Sequence, residues 1–398
     1  MSRLGVYIDA VYEVVDAPSG LRISTDRSFL LFVCEVGASF DLLVLFGRAR
    51  AALEDAEYVM PIGVEFVALP HYSNLRRIVE VLRATAGTLA GMWRGLPSVD
   101  VVWVFGPHPF GVALAAMALL RRKQVVLGVR QDSVRLYETR LSGWQRIPGL
   151  VAVRGVEFLY RVLARRVAIT VQGAELMERY GGERPTLLTM TESIVRDRDI
   201  VGQPPERDWH GVIQLLTVGR LETEKNPSLL VQAMAQLERD RPGRYRLVWV
   251  GRGPLEERVF ELARQLGIDK QIEFRGYVPF DQGLLDLYRR AHAFVHVSLS
   301  EGMPKVVIEA LASGTPIVAT DVGGVRAALA DGRAALLVPP DDLGALVDAL
   351  LRVSEDPALR ERLAADGVAL ARSMTLEAEA ARVVRFIANH TTKNEKLS

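Results

Sequence analysis

A chain of 398 residues is too long for one ordinary hydrophobic core and fits two domains of about 150–200 residues each. Hydrophobic residues at 49% and charged residues at 24% suit a globular protein, the lone Cys34 excludes an intrachain disulfide, and the longest apolar run, Phe110 to Leu120, falls short of the roughly 18 residues that span a bilayer. Net charge is +1, yet Arg121 to Thr170 holds eleven Arg and Lys against three acids, which fits either a solvated basic face or an anionic partner: a lipid surface, a phosphorylated acceptor or nucleic acid.

The chain opens Met1-Ser2-Arg3-Leu4-Gly5-Val6-Tyr7-Ile8-Asp9 and meets an acid before any apolar run of signal-peptide length. A reducing, cytoplasmic setting is expected, with the protein free or peripheral on the inner face of the membrane. In chain order, β-rich runs predict strands at Leu4–Asp9, Asp41–Phe46, Val64–Leu69, Val101–Phe105, Val125–Val129 and Val167–Val171. Helical patterns fall at Asn74–Trp93, Phe110–Arg122 and Val151–Arg165. Cys34 reads as a small buried hydrophobe.

The polar segment 197–209, DRDIVGQPPERDW, carries two consecutive prolines and reads as a linker with solvated Asp197 and Asp199. Beyond it strands recur at Ile213–Val218, Leu247–Gly251, Gln271–Phe274, Ala293–Val297, Ile317–Thr320 and Ala335–Val338. Helices are expected over Ser228–Arg239, Leu255–Leu266, Gln282–Arg290, Pro304–Ala312 and Leu343–Arg352. The alternation is that of parallel α/β units. The expected fold class is α/β, with two Rossmann-like doubly wound domains, residues 1–196 and 210–375, facing across a cleft. Residues 376–398 are expected as an amphipathic helix returning to the first domain, then a polar tail.

Chemistry concentrates in two loops of the second half. In Glu301-Gly302-Met303-Pro304-Lys305-Val306-Val307-Ile308-Glu309, Gly302 permits a tight turn and Pro304 suits the first turn of a helix. The helix would open at a strand's carboxyl end, with N–H groups near residues 303–306 forming an anion site for a diphosphate. Glu301 and Glu309 are carboxylates fit to accept from hydroxyl pairs, one on a sugar and one on a ribose. In Val218-Gly219-Arg220-Leu221-Glu222-Thr223-Glu224-Lys225-Asn226-Pro227, Gly219 allows close backbone approach. Arg220 and Lys225 there put two cations on one loop, suited to a leaving diphosphate.

These two elements resemble the donor-site signatures of the family-four retaining glycosyltransferases (glycosyl transferases group 1), which have the two-domain glycosyltransferase B fold. Val250-Gly251-Arg252-Gly253-Pro254 and Phe274-Arg275-Gly276-Tyr277-Val278 match as well. The resemblance is strong over about residues 212–340 and coarse in the first half. It implies a metal-independent transferase that needs no cofactor and takes a nucleotide sugar, UDP- or GDP-hexose, as donor. Arg220 and Lys225 would then bind the diphosphate, and Glu301 with the backbone of Gly302, Met303 and Pro304 the sugar hydroxyls. Lys305 and Val306 would contact phosphate, Glu309 the ribose, and Arg275, Gly276 and Tyr277 the base. Arg220, Lys225 and Glu301 would carry the catalytic step, with Gly219, Gly251 and Gly253 lining the donor site. The first domain would then face the acceptor, a glycan or lipid-linked molecule of cell-envelope or polysaccharide biosynthesis.

The first half departs from that pattern. Tyr7 to Glu13 offers no glycine-rich loop after the first strand, and Arg130-Gln131-Asp132 stands where many relatives have a His-Asp pair. Two readings of Arg130 stay open: a cation oriented by Asp132 toward donor or acceptor, or a loop salt bridge. His108 is either an acceptor-side residue or a turn histidine with no role. His292 and His296, four apart without a carboxylate or cysteine partner, argue against zinc. Trp144, Ile147, Leu150 and Val151 interleaved with Arg146, Arg154, Arg161 and Arg165 suggest an anionic-membrane patch within residues 121–170, or a core helix with a basic outer side. A nucleotide-binding protein without transfer activity and a sugar-nucleotide epimerase are the competing readings. Nucleic-acid binding is not expected for want of an aromatic-rich recognition motif, and a nicotinamide dehydrogenase lacks its glycine fingerprint.

Overall fold

Short apolar runs rich in Val, Ile and Leu, buried on both faces, make parallel strands whose crossovers must be helices. The computed structural model describes residues 2–391 apart from 18, 19, 53, 55, 141–145 and 303. The chain divides into two units, Met1–Ile194 with Glu379–Ser398, and Val195–Ala378.

The first unit is built on β1 (Arg3–Ala17), β2 (Gly20–Thr25), β3 (Leu42–Ala51), β4 (Tyr58–Val59), β5 (Val64–Leu69), β6 (Val101–Gly106), β7 (Gln124–Val129), β8 (Ala168–Gln172) and β9 (Leu187–Met190). Its parallel part runs β5-β3-β1-β6-β7-β8-β9, with β2 and β4 added antiparallel. Trp103 is wholly buried, touches Phe105 and Phe32, and donates from Nε1 to Thr170 Oγ1 (3.1 Å). The first strand is longer than its sequence suggests. After Tyr7 its register with β3 shifts, resuming at Val11, and the strand runs on to pair with β2. Continuous strand thus occupies the place where a glycine-rich loop was missed.

The second unit holds β10 (Ile213–Val218), β11 (Tyr245–Val250), β12 (Ile272–Gly276), β13 (Ala293–His296), β14 (Ile317–Thr320) and β15 (Leu336–Val338), all parallel in the order β12-β11-β10-β13-β14-β15. Chain order reverses between β10 and β13, so the loops leaving those two strands flank the crevice where doubly wound sheets bind ligands. The corresponding reversal in the first unit lies between β1 and β6.

Residues 197–209, expected as a linker, belong to the second unit. Val201 N donates to Ala312 O (2.9 Å) and Arg207 to Gly314 O (3.2 Å). Asp197 is exposed, but Asp199 is buried and accepts from Arg196 N (2.9 Å), which corrects the reading of both as solvated. The helix Leu376–Thr391 begins in the second unit and continues into the first, where Thr191 N donates to Glu379 Oε2 (3.1 Å) and Arg382 to Thr189 O (3.1 Å) beside edge strand β9. Cys34 is half-buried on the helix Phe29–Gly37, and burial pushes its thiol up to about 12. Among the described residues no helix is long and apolar enough to cross a membrane.

Tyr160, wholly buried, donates to Val104 O (2.6 Å) from the helix Arg146–Ala164. Tyr160→Phe strips that donor from a buried carbonyl, and the first unit should lose about 1–3 kcal/mol, read as a lowered urea midpoint.

Candidate functional site

At the switch point of the second sheet, backbone hydrogen bonds fix the loops before any side chain does. Gly219 N donates to Val250 O, Leu221 N to Arg252 O, Gly251 N to Gly276 O, and Leu299 N to Glu224 O. Three glycines allow this closeness. A Cβ on Gly251, at φ +133°, would stand 2.0 Å from Gly219 O, and one on Gly253 would stand 2.4 Å from Leu221 O. Gly323, which sequence reasoning passed over, sits at φ +47° against Glu301 O, and an added Cβ would fall 1.9 Å away.

Onto this frame converge Lys225 and Glu301, 76 residues apart, as an ion pair. Ser298 Oγ donates to the same carboxylate oxygen (2.7 Å), and His296 Nε2 lies 3.2 Å from it. His296 therefore does have a carboxylate partner, contrary to expectation. The signal was present: His296 and Ser298 are two apart at the end of an otherwise apolar strand, so both face one side. His292 instead braces the fold, Nδ1 accepting from Gln214 N (3.0 Å) and Nε2 facing Asp208 O (2.9 Å). Burial alone would raise Glu301, but the imidazole of His296 beside it and the Lys225 charge outweigh it and hold the carboxyl at about 2.

Glu309 lies on the helix Lys305–Ala312, is 4% exposed, and accepts from Tyr288 Oη (2.8 Å). Burial pushes it up to about 7. Pro304 precedes the helix in extended conformation, Lys305 and Val306 form its first turn, and Gly302 has open space where a Cβ would go. Met303 lies outside the described residues. Arg220 is exposed and bonded to Glu222 (2.6 Å). Arg275 is bonded to Glu273 (2.7 Å), Gly276 takes φ +65°, and the Tyr277 side chain is exposed.

The first unit separates its three candidates. Arg130 forms a bidentate pair with Glu192, which is 2% exposed, and lies 4.1 Å over the Phe29 ring. Asp132 bonds to Arg179 (2.6 Å) rather than orienting Arg130, so the loop salt bridge is the arrangement present. His108 is buried at the end of β6, where its Nδ1 caps the next helix by accepting from Phe110 N (3.3 Å) and lies 3.1 Å from Tyr7 Oη. Its Nε2 faces Asp9 Oδ2 (3.4 Å) and Tyr72 Oη (3.3 Å). Asp9 sits where the β1 register shifts, and takes Tyr72 Oη (2.5 Å) and Arg48 Nε (2.9 Å). Burial pulls the His108 pKa down. Beside it lies a cavity of 460 Å³. On the helix Arg146–Ala164, Ile147 and Val151 are 77% and 65% exposed, so they do not face a core; Trp144 lies outside the described residues.

Residues 206–368 match the family described as Glycosyl transferases group 1. The D-inositol 3-phosphate glycosyltransferase of Frankia alni is 42% identical over 179 residues, 43% of this chain and 44% of that one. Its counterpart in Corynebacterium efficiens is 36% identical over 181 residues, 44% and 42% of the two chains. The aligned region thus spans under half the length of these curated relatives. Among solved structures, the sucrose-phosphate synthase of Thermosynechococcus elongatus superposes with a TM-score of 0.69 at 18% identity, over 98% of this chain and 99% of that one. HepE of Anabaena, solved with UDP and glucose, gives 0.64 at 14%, over 99% and 100%. These likenesses establish the glycosyltransferase B fold.

Two outcomes are expected from this geometry. Gly323→Ala should displace the Glu301 loop and lower the thermal midpoint by several degrees, measured by circular dichroism. Glu309, at about 7 when folded against 4.5 in a free chain, binds its proton more tightly in the native state. Stability should therefore fall as pH rises from 4.5 to 7, by at most about 1.4 kcal/mol per pH unit from this group. Glu309→Gln should flatten that slope in urea titrations at pH 5, 6 and 7.

Proposed function

Because residues 206–368 match the model of the group 1 glycosyltransferases, we propose that this chain moves a hexose from a UDP- or GDP-sugar to an acceptor hydroxyl with retention of anomeric configuration. The observation that carries this reading is the meeting of Lys225 and Glu301 at the switch point of the second sheet. With donor bound, Lys225 and Arg220 face the diphosphate, Glu301 holds sugar hydroxyls, and Glu309 takes the ribose. The first-turn N–H groups of Lys305 and Val306 add their positive end to the phosphate.

The acceptor oxygen bonds to the anomeric carbon as the bond to the diphosphate breaks, and the acceptor proton passes to the departing phosphate oxygen. The protein contributes fixed charge where negative charge develops; one such donor is worth about 10²–10³ in rate. Arg220 and Lys225 fill this role, so the step is assigned no metal or cofactor. The acceptor is a glycan or a lipid-linked molecule of cell-envelope or polysaccharide synthesis. Exposed Ile147, Val151 and Phe158, with Arg154 and Arg161 on the same helix and Arg165 just after it, favour peripheral attachment to an anionic membrane from the cytoplasmic side.

Thermal shift with UDP-, GDP- and ADP-sugars tests the donor site. At a hundred times its dissociation constant, the right donor should add about 2.7 kcal/mol, and Lys225→Ala and Glu309→Ala should abolish the shift. A folded protein that responds to none of these nucleotides would overturn the assignment.

A further inference from the structure

The 460 Å³ cavity in the first unit falls within the size range of small-molecule sites, about 300–1,000 Å³. It opens beside the carboxyl ends of β6 and β7, next to the sheet's switch point. Among the described residues four segments wall it: Leu75, Arg76 and Ile78 leading into the helix Ile78–Gly95, Pro107-His108-Pro109 after β6, Ser133 and Tyr137 on the helix Ser133–Arg140, and Pro148 to Val156 on the helix Arg146–Ala164. The last segment leaves room there, because two of its lining positions, Gly149 and Ala152, carry no side chain and a single methyl.

The chemistry of the wall is selective. Among the described residues it is mainly aliphatic and prolyl, with Arg76, Ser133 and Tyr137 as its polar members beside His108. Both His108 nitrogens already face protein groups. A bare polyol phosphate entering here would lose hydration on many hydroxyls and regain few hydrogen bonds. An apolar body would gain from the burial, and a cationic side chain at the wall suits a phosphate-bearing or hydroxylated head. Ile78 lines the cavity yet is 66% exposed, so the apolar surface continues outward.

We infer that this cavity takes the apolar part of an amphiphilic acceptor, an alkyl or isoprenyl chain carrying the hydroxylated head that receives the sugar. This rests on the transferase reading above and narrows its acceptor to amphiphiles, away from free sugar phosphates. Ala152 and Gly149 act as specificity-determining positions: they leave room for the chain, and a larger residue there closes the cavity.

The test uses octyl glucoside below its micelle concentration, titrated into the full chain by calorimetry, with inositol phosphate as the polar comparison. Saturable binding of octyl glucoside and none of inositol phosphate is expected. Ala152→Trp should weaken it at least tenfold, while Leu21→Ser, at an exposed apolar residue that does not line the cavity, binds as wild type. A diazirine-tagged octyl glucoside should label peptides spanning residues 75–78 and 146–156 of the unaltered protein, which keeps the test sound if Ala152→Trp folds poorly. Tighter binding of inositol phosphate, detergent binding only as micelles, or labelling elsewhere would overturn the inference. Nucleotide-sugar binding measured on the same samples separates the two claims. Its loss with detergent binding intact removes the transferase reading and with it the acceptor role, leaving only an amphiphile site; nucleotide-sugar binding without detergent binding removes this inference and leaves the transferase reading.

Discussion

A carboxylate withdrawn from water must be met by charge or hydrogen bonds, or it becomes protonated. Glu301 is the clearest case in this molecule. Lys225, His296 and Ser298 all reach one of its oxygens, from the loop after β10 and from the end of β13. Satisfying that one group draws two distant stretches of chain to the same place. The glycines at 251, 253 and 323 follow as a steric consequence, since the loops can close on the pair only where backbone meets backbone. Ion pairs of this kind are poor sources of net stability but demand their geometry. In this site the demand yields a charged, pre-formed edge of the sheet.

The first unit solves the same problem with different material. Asp9, at the register shift of β1, gathers Arg48, Tyr72 and His108, and Tyr7 closes the group from the other side of the imidazole. The cluster is dense in hydrogen bonds and holds His108 by both nitrogens. Next to it the wall becomes aliphatic. The two units thus place opposite kinds of surface at equivalent points of similar sheets, one charged and one greasy. That contrast agrees with a polar, multiply charged ligand on one side and an amphiphile on the other.

Sequence alone made the second unit legible because its strands are short, apolar and buried on both faces, between clear turn residues. Ile213–Val218, Ile317–Thr320 and the helix Gln282–Arg290 appear with the boundaries their patterns predict. The loops bearing Lys225 and Glu301 could be read because each follows such a strand. Where local pattern and tertiary contact disagreed, the reading failed. β1 looked six residues long because nothing local shows that Val11 to Val14 will rejoin β3 and Glu13 to Ala17 will find β2. The helix Phe29–Gly37 is a solid apolar run without period, equally compatible with strand or helix. Arg130 and Glu192 are 62 residues apart, so no spacing rule joins them. The cavity is less visible still, being the absence of side-chain bulk at Gly149 and Ala152.

The helix Leu376–Thr391 carries a consequence for how the protein is made. Thr191 is joined to Glu379 across 188 residues, an interval that holds the whole second unit. A ribosome delivers that unit, with its own sheet and core, before it delivers the helix that covers edge strand β9. The first unit therefore has its whole β1–β9 sheet long before its closing helix, and until that helix arrives one edge stays hydrated. In that interval β9 is an unprotected strand, the kind of surface that invites pairing with a neighbouring nascent chain or capture by a chaperone. A fragment cut after Ile194 lacks the Glu379 and Arg382 bonds to that edge.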